Sequence, residues 1–132
     1  MAIDTAVRTF RDLDLNFTRH PVTNDVAIRV GDQAVIRSVR NLVNLSFYEK
    51  PFHSEIGGAV RQLLFENLSP LTAQNLKDQI VRVIENFEPR VKLIEVIVQA
   101  TDSQNYFNVE IKFYIQNNTS PTGINLLLER VR

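Results

Sequence analysis

Apolar residues recur along this chain with two different periods, and the change from one to the other falls at Glu88-Pro89-Arg90. Upstream, Leu76, Ile80, Val83, Ile84 and Phe87 follow the i, i+4, i+7, i+8, i+11 spacing of an amphipathic helix with one buried face. Ser69-Pro70 supplies the capping serine and first-turn proline that open such a helix. Pro89 has no amide hydrogen for the preceding turn and pushes Glu88 out of the helical region, so the helix is predicted to end at about Phe87. Downstream, Val91 to Ala100 is rich in β-branched residues with apolar positions on both faces: Ile94, Val96 and Val98 on one, Val91, Leu93 and Ile97 on the other. A strand of that kind is expected to be covered on both sides. Phe107, Val109, Ile111, Phe113 and Ile115 then alternate with polar residues and with Tyr106 and Tyr114, the pattern of a half-buried strand, with Thr101 to Asn105 as a hairpin turn.

The segments before residue 70 are shorter. Residues 1 to 10 suit a short helix. The alternation Asp12-Leu13-Asp14-Leu15-Asn16-Phe17 predicts an extended segment whose apolar side chains lie against something apolar. His20-Pro21 breaks it, Thr23-Asn24-Asp25 is turn chemistry, and Val26 to Val30 reads as a short strand closed by Gly31-Asp32, with Asp32 placed to cap a helix. That helix carries Val35, Val39 and Leu42, with Ile36 and Val43 widening the stripe. Ser46 to Ser54 is a loop kept out of helix by Pro51. Its aromatics Phe47, Tyr48 and Phe52 are expected to form a lid over the core, because such rings bury a large area each. A second helix with Ile56, Val60, Leu63 and Leu64 on its apolar face is expected next. Gly57-Gly58 weakens its first turn by roughly 1 kcal/mol per glycine, a sign of close backbone approach or fraying.

Asn117 to Gly123 reads as loop, and the last segment fits two periods. Ile124, Leu126 and Leu128 suit a strand; Ile124, Leu127, Leu128 and Val131 suit a helix. The strand is preferred, and near the chain end it would be an edge strand with backbone groups open to another chain.

Composition narrows the function. A chain of 132 residues is long enough for one domain with its own core, and no cysteine is present, which excludes disulfides, thiolate zinc sites and cysteine nucleophiles. Fifteen basic and fifteen acidic residues balance, which argues against a protein held to nucleic acid or anionic lipid by bulk charge. No apolar run approaches the about 20 residues a membrane helix needs, and the polar start does not resemble a signal, so the protein is expected to stay where it is made. Zero net charge with 44% hydrophobic residues suits a subunit of an assembly.

Catalytic signatures are absent. There is no glycine-rich phosphate loop, nucleophile elbow or His-Glu-x-x-His pair, and His20 and His53 lie in different loops without the fixed geometry of a metal site. No catalytic residue, metal or cofactor is expected. Glu66, after Phe65 at a helix end, and Glu95, within an apolar strand, are the carboxylates that a peptidoglycan-degrading glycoside hydrolase of lysozyme type would have to use. That is the alternative reading.

Several short pieces resemble the small baseplate wedge subunits of contractile-tailed, T-even type phages, a family similar to the TssE baseplate subunit of type VI secretion. They are Asp12-Leu13-Asp14 with Phe17, His20-Pro21-Val22-Thr23 with Asp25, Ala34 to Leu42, Pro51-Phe52, Leu63-Leu64-Phe65-Glu66 and Glu88-Pro89-Arg90. Leu-Leu-Phe-Glu about 20 residues before Glu-Pro-Arg is the most specific of them. Phe47-Tyr48-Glu49-Lys50 departs from the Gly-Glu-Arg that relatives tend to show.

The resemblance implies a non-catalytic virion protein, assembled in the host cytoplasm, that joins the inner baseplate to the contractile sheath. It also implies a fold similar to the sheath's strand-exchange domain, on which sheath subunits would first assemble. The expected partners are other wedge proteins and sheath subunits, with no nucleic acid, membrane or small-molecule substrate. From the residues themselves, Glu88-Pro89-Arg90 is either a helix stop with two solvated charges or a stiff corner that pairs with a neighbour. With the resemblance, Glu88, Pro89 and Arg90 together with Ile124, Leu126 and Leu128 become the expected partner-binding residues. The fold class is α+β in a single domain, 1–132: an extended N-terminal arm over 1–25, a mainly helical part over 26–88 with about three helices, and an antiparallel sheet of three to four strands over 91–131.

Overall fold

The structure, a computed structural model, describes residues 9–101, 105–116 and 118–130. Expectations for residues 1 to 8, and the tip of the turn after Thr101, lie outside the described residues. The architecture is α+β, with the chain dividing into two compact units, one ending at Arg37 and one running from Ser38 to Arg132.

In the first unit the expected arm is folded back on itself. Strand β1, Arg11–Leu13, pairs antiparallel with β2, Ile28–Val30, in the register Arg11↔Val30, Asp12↔Arg29 and Leu13↔Ile28. The ladder continues through Asp14 N to Ala27 O (2.9 Å) and Ala27 N to Thr18 O (2.8 Å) to a turn around Asn24, whose φ of 59° suits asparagine. Here His20 is structural: its Nδ1 accepts the amides of Val22 and Thr23 at 3.3 and 3.2 Å.

The alternation over 12–17 is inverted relative to expectation. Leu13, Leu15 and Phe17 are exposed, and Asp14 is the fully buried residue. Its carboxylate accepts hydrogen bonds from Arg37 and, at 3.5 Å, Arg29. Two arginines make burial of a carboxylate tolerable, and a period-2 pattern alone does not say which face will be inward.

Helix α1, Asp32–Asn44, crosses from one unit to the other and buries Ala34, Val35, Val39 and Val43 completely or nearly so. The expected second helix is reduced to α2, Val60–Leu63. Gly57 explains the loss. Its φ is 145°, and a Cβ there would meet the Ser46 carbonyl carbon and oxygen at 2.7 Å, so the glycine pair packs against backbone instead of opening a helix.

Helix α3, Pro70–Phe87, begins and ends as its residues dictate. Ser69 Oγ accepts the Thr72 amide at 3.0 Å, and Leu76, Ile80, Val83 and Ile84 are buried. It packs on β3, Val91–Thr101, the first strand of a three-stranded antiparallel sheet ordered β3-β4-β5, with β4 at Tyr106–Ile115 and β5 at Pro121–Glu129. The loop expected up to Gly123 therefore stops at Ser120.

Strand β3 carries a bulge that its sequence did not announce. Leu93 pairs with Phe113 and Glu95 with Lys112, leaving Ile94 between them without a cross-strand partner. The extra residue changes parity, so Val91 and Leu93 before it and Val96 and Val98 after it share one face with Phe113, Ile111 and Val109. Ile124, Leu126 and Leu128 extend that face across β5. The opposite face is not covered: Lys92, Glu95 and Gln99 are exposed, as are Ile94, Tyr114 and Leu127. Phe107 and Phe113 are fully buried, each contributing about 1.5–3 kcal/mol by burial alone.

Candidate assembly interface

The corner forms because α3 cannot continue through Pro89. Glu88 closes the helix, its amide reaching Ile84 O at 3.0 Å, and its backbone turns to φ −125° and ψ 83°. After the turn, Arg90 O accepts the Gln116 amide at 2.8 Å, which ties the corner to the far end of β4.

The two charges of the corner pair with each other. Arg90 Nε donates to Glu88 Oε1 at 2.7 Å and a terminal guanidinium nitrogen to Oε2 at 2.9 Å, a bidentate fork. Ser38 Oγ donates to the same Oε2 from α1. Glu88 is 3% exposed and the Arg90 side chain 21%, while Pro89 is exposed. Burial on its own would raise the Glu88 pKa, but the hydrogen bonds from Arg90 and Ser38 and the charge of Arg90 outweigh it and hold the carboxyl below its ordinary 4.5. The trio is thus a satisfied internal clasp between α1, α3 and β3, with Pro89 as its outward part. Sequence reasoning found the corner and missed Ser38, a serine at mid-helix whose partner lies fifty residues away.

Ile124, Leu126 and Leu128 are 5, 7 and 5% exposed. Their side chains serve the core of this chain, so what β5 leaves open is the backbone of its outer edge. Among the described residues β3 and β5 each pair only with β4, which leaves an outer edge on both. A groove of about 700 Å³ runs beside β3, walled by Ser69, Ala73 and Lys77 of the α3 side and by Glu95 to Val98 of the strand. Beyond the end of β5, Arg130 fastens the chain to the α2–α3 connection, donating to Glu66 O at 3.1 Å and Asn67 Oδ1 at 2.9 Å.

Neither carboxylate of the hydrolase reading lies in an apolar pocket. Glu95 is exposed and faces Lys112 at 3.8 Å, and Glu66 is exposed. His53 faces Glu55 at 3.3 Å in solvent, and among the described residues no three His, Cys, Asp or Glu side chains converge as a metal site would need. The aromatic loop also departs from expectation: Phe47, Tyr48 and Phe52 are exposed and do not cap the core.

Residues 29–120 match the family model described as baseplate wedge protein gp25. The chain belongs to that family. It is 30% identical over 94 residues to baseplate wedge protein gp25 of Enterobacteria phage T4, with 71% of each chain covered. Among solved structures, a chain in the baseplate of the anti-feeding prophage superposes with a TM-score of 0.73 at 24% identity, covering 85% of this chain and 90% of that one. A chain in the postcontracted baseplate of pyocin R2 superposes at 0.63 and 16% identity, over 82% and 100%. A protein from Geobacter sulfurreducens described as a putative tail lysozyme superposes at 0.70 and 12% identity, over 76% and 92%, which shows a shared fold. Membership makes the chain a structural protein of the tail baseplate wedge. The family match stops at residue 120, just before β5 begins.

Proposed function

We propose that this chain joins the inner baseplate to the contractile sheath and is the first template on which sheath subunits assemble. It does so without catalysis, nucleic acid or membrane, after assembly in the host cytoplasm. The observation that carries this reading is the open sheet. A strand of nine residues and one of eleven, each with an outer edge unpaired among the described residues, is a liability in a protein that works alone. In a template it is the working surface, because an added strand gains main-chain hydrogen bonds without needing a large buried area.

In this reading Ile124, Leu126 and Leu128 hold β5 rigid so that its backbone is presented in register. Glu88 and Arg90 hold the corner rigid so that Pro89 meets a neighbouring wedge protein. The experiment is electron microscopy of tails from cells making and lacking this chain, scored for sheathed against bare tubes. Bare tubes on formed baseplates in its absence, restored by the parent chain, are expected. Fully sheathed tails without it would overturn the template role.

A further inference from the structure

The connection between α1 and α2 holds two aromatic rings out in solvent. Phe52 is completely exposed and Tyr48 is 84% exposed, and both have left-handed backbone, with φ of 66° and 68°. Bulky side chains rarely take that conformation, which costs them free energy. The rest of the loop enforces it. Tyr48 N donates to Ser54 O at 3.0 Å, His53 N to Lys50 O at 3.3 Å, and Glu49 accepts the Ser46 amide at 2.8 Å while facing Arg61 at 3.3 Å. Gly57 seals the base against the Ser46 backbone. A segment that merely connected two helices would use Gly or Asn at the left-handed positions and turn its rings inward.

The surroundings say what kind of surface the rings meet. The charges of the loop are answered within it or at its base, Glu49 by Arg61 and Glu55 by His53 and the nearby charge of Lys50. A tip without concentrated positive charge does not suit a nucleic acid or an acidic lipid surface. Two rings bury about 150–250 Å² each, well below the roughly 800 Å² per partner of a free-standing complex, so a second copy held by this loop alone lacks area. The occupant is a protein already held at another surface of this chain.

We infer that Tyr48 and Phe52 form an aromatic plug, carried on a braced backbone, that seats against an uncharged, apolar surface of a neighbouring protein of the baseplate. This rests on the baseplate role proposed above. A loop backbone braced before contact gives up little conformational freedom on binding, which suits an interface anchor.

The test uses Phe52→Asn and Tyr48→Asn, because asparagine accepts left-handed backbone and each variant should melt at or above the parent temperature. Purified tails are assayed by quantitative mass spectrometry for the ratio of this chain to another wedge protein. The ratio is expected to fall at least tenfold for Phe52→Asn and to hold for Phe52→Tyr. Parental content of Phe52→Asn in tails would overturn the inference. So would a purified parent chain that is dimeric by light scattering and becomes monomeric as Phe52→Asn, since the occupant would then be a second copy. Parent chain missing from tails altogether would instead remove the baseplate reading itself, and the plug with it.

Discussion

Gly58 lies so close to Val83 that a Cβ on the glycine would stand 2.5 Å from Val83 Cγ2. Val83 is a buried side chain of α3, so the glycine is the surface on which the helix rests.

Gly58→Ala is therefore expected to overpack this contact and cost about 1–3 kcal/mol, read as a lower denaturant midpoint with an unchanged slope. Val83→Ala on its own leaves a cavity. The double variant should be more stable than the two separate losses predict, because each change relieves the other. Strict additivity in that cycle would mean that the glycine is dictated by its backbone alone.

Removing one member of the corner clasp leaves the other buried and unpaired. Arg90→Ala is expected to cost about 2–4 kcal/mol, since the Glu88 carboxylate loses its charged partner and keeps Ser38 and, at 3.4 Å, the backbone amide of position 90. A loss of sheathed tails in Arg90→Ala would then confound instability with interface damage. A charged substitution at exposed Pro89 is the cleaner probe of a neighbour at this corner, and a parental melting temperature for it is the check.

The same clasp gives a pH dependence of definite sign. The Glu88 carboxyl is held below 4.5 in the folded protein, so its contribution is fully present above that unfolded value and is lost as pH falls through the lower folded one. In Glu88→Gln this part of the acid dependence is absent. The parent should be the more stable at neutral pH by about 1–2 kcal/mol, and the gap should narrow as pH falls below 4.5. Urea titrations at pH 7 and pH 3.5 measure it.

Neighbouring leucines on β5 should behave in opposite ways. Leu126 is 7% exposed and Leu127 is 69% exposed. Leu126→Ala is expected to cost about 2–4 kcal/mol and Leu127→Ala no more than about 0.5 kcal/mol in the isolated chain. Similar losses from both would mean that the segment is helical or covered on both faces.

Elements with long, one-sided patterns were legible from the sequence. The stripe from Leu76 to Phe87, the serine and proline that open α3, and the alternation of β4 each follow from local sterics and solvent preference. They read the same in the strand or helix as in the chain. The family motif was legible too, and so was the end of α3 at Pro89, because a missing amide hydrogen is a local fact.

What the tertiary structure alone decided is how charges and faces are used. Periodicity shows that Asp14 and Leu13 point opposite ways; burial of Asp14 depends on Arg29 and Arg37 arriving from elsewhere. The bulge at Ile94 depends on the register of β3 against β4, and the Gly57-Gly58 break on how near the backbone of Ser46 passes. Glu88 and Arg90 look like two solvated charges until the chain closes Ser38 over them. The sequence determines the elements, because their causes act within a few residues. Which groups they bury, and which they leave for a neighbour, comes from contacts between parts of the chain that are far apart along it.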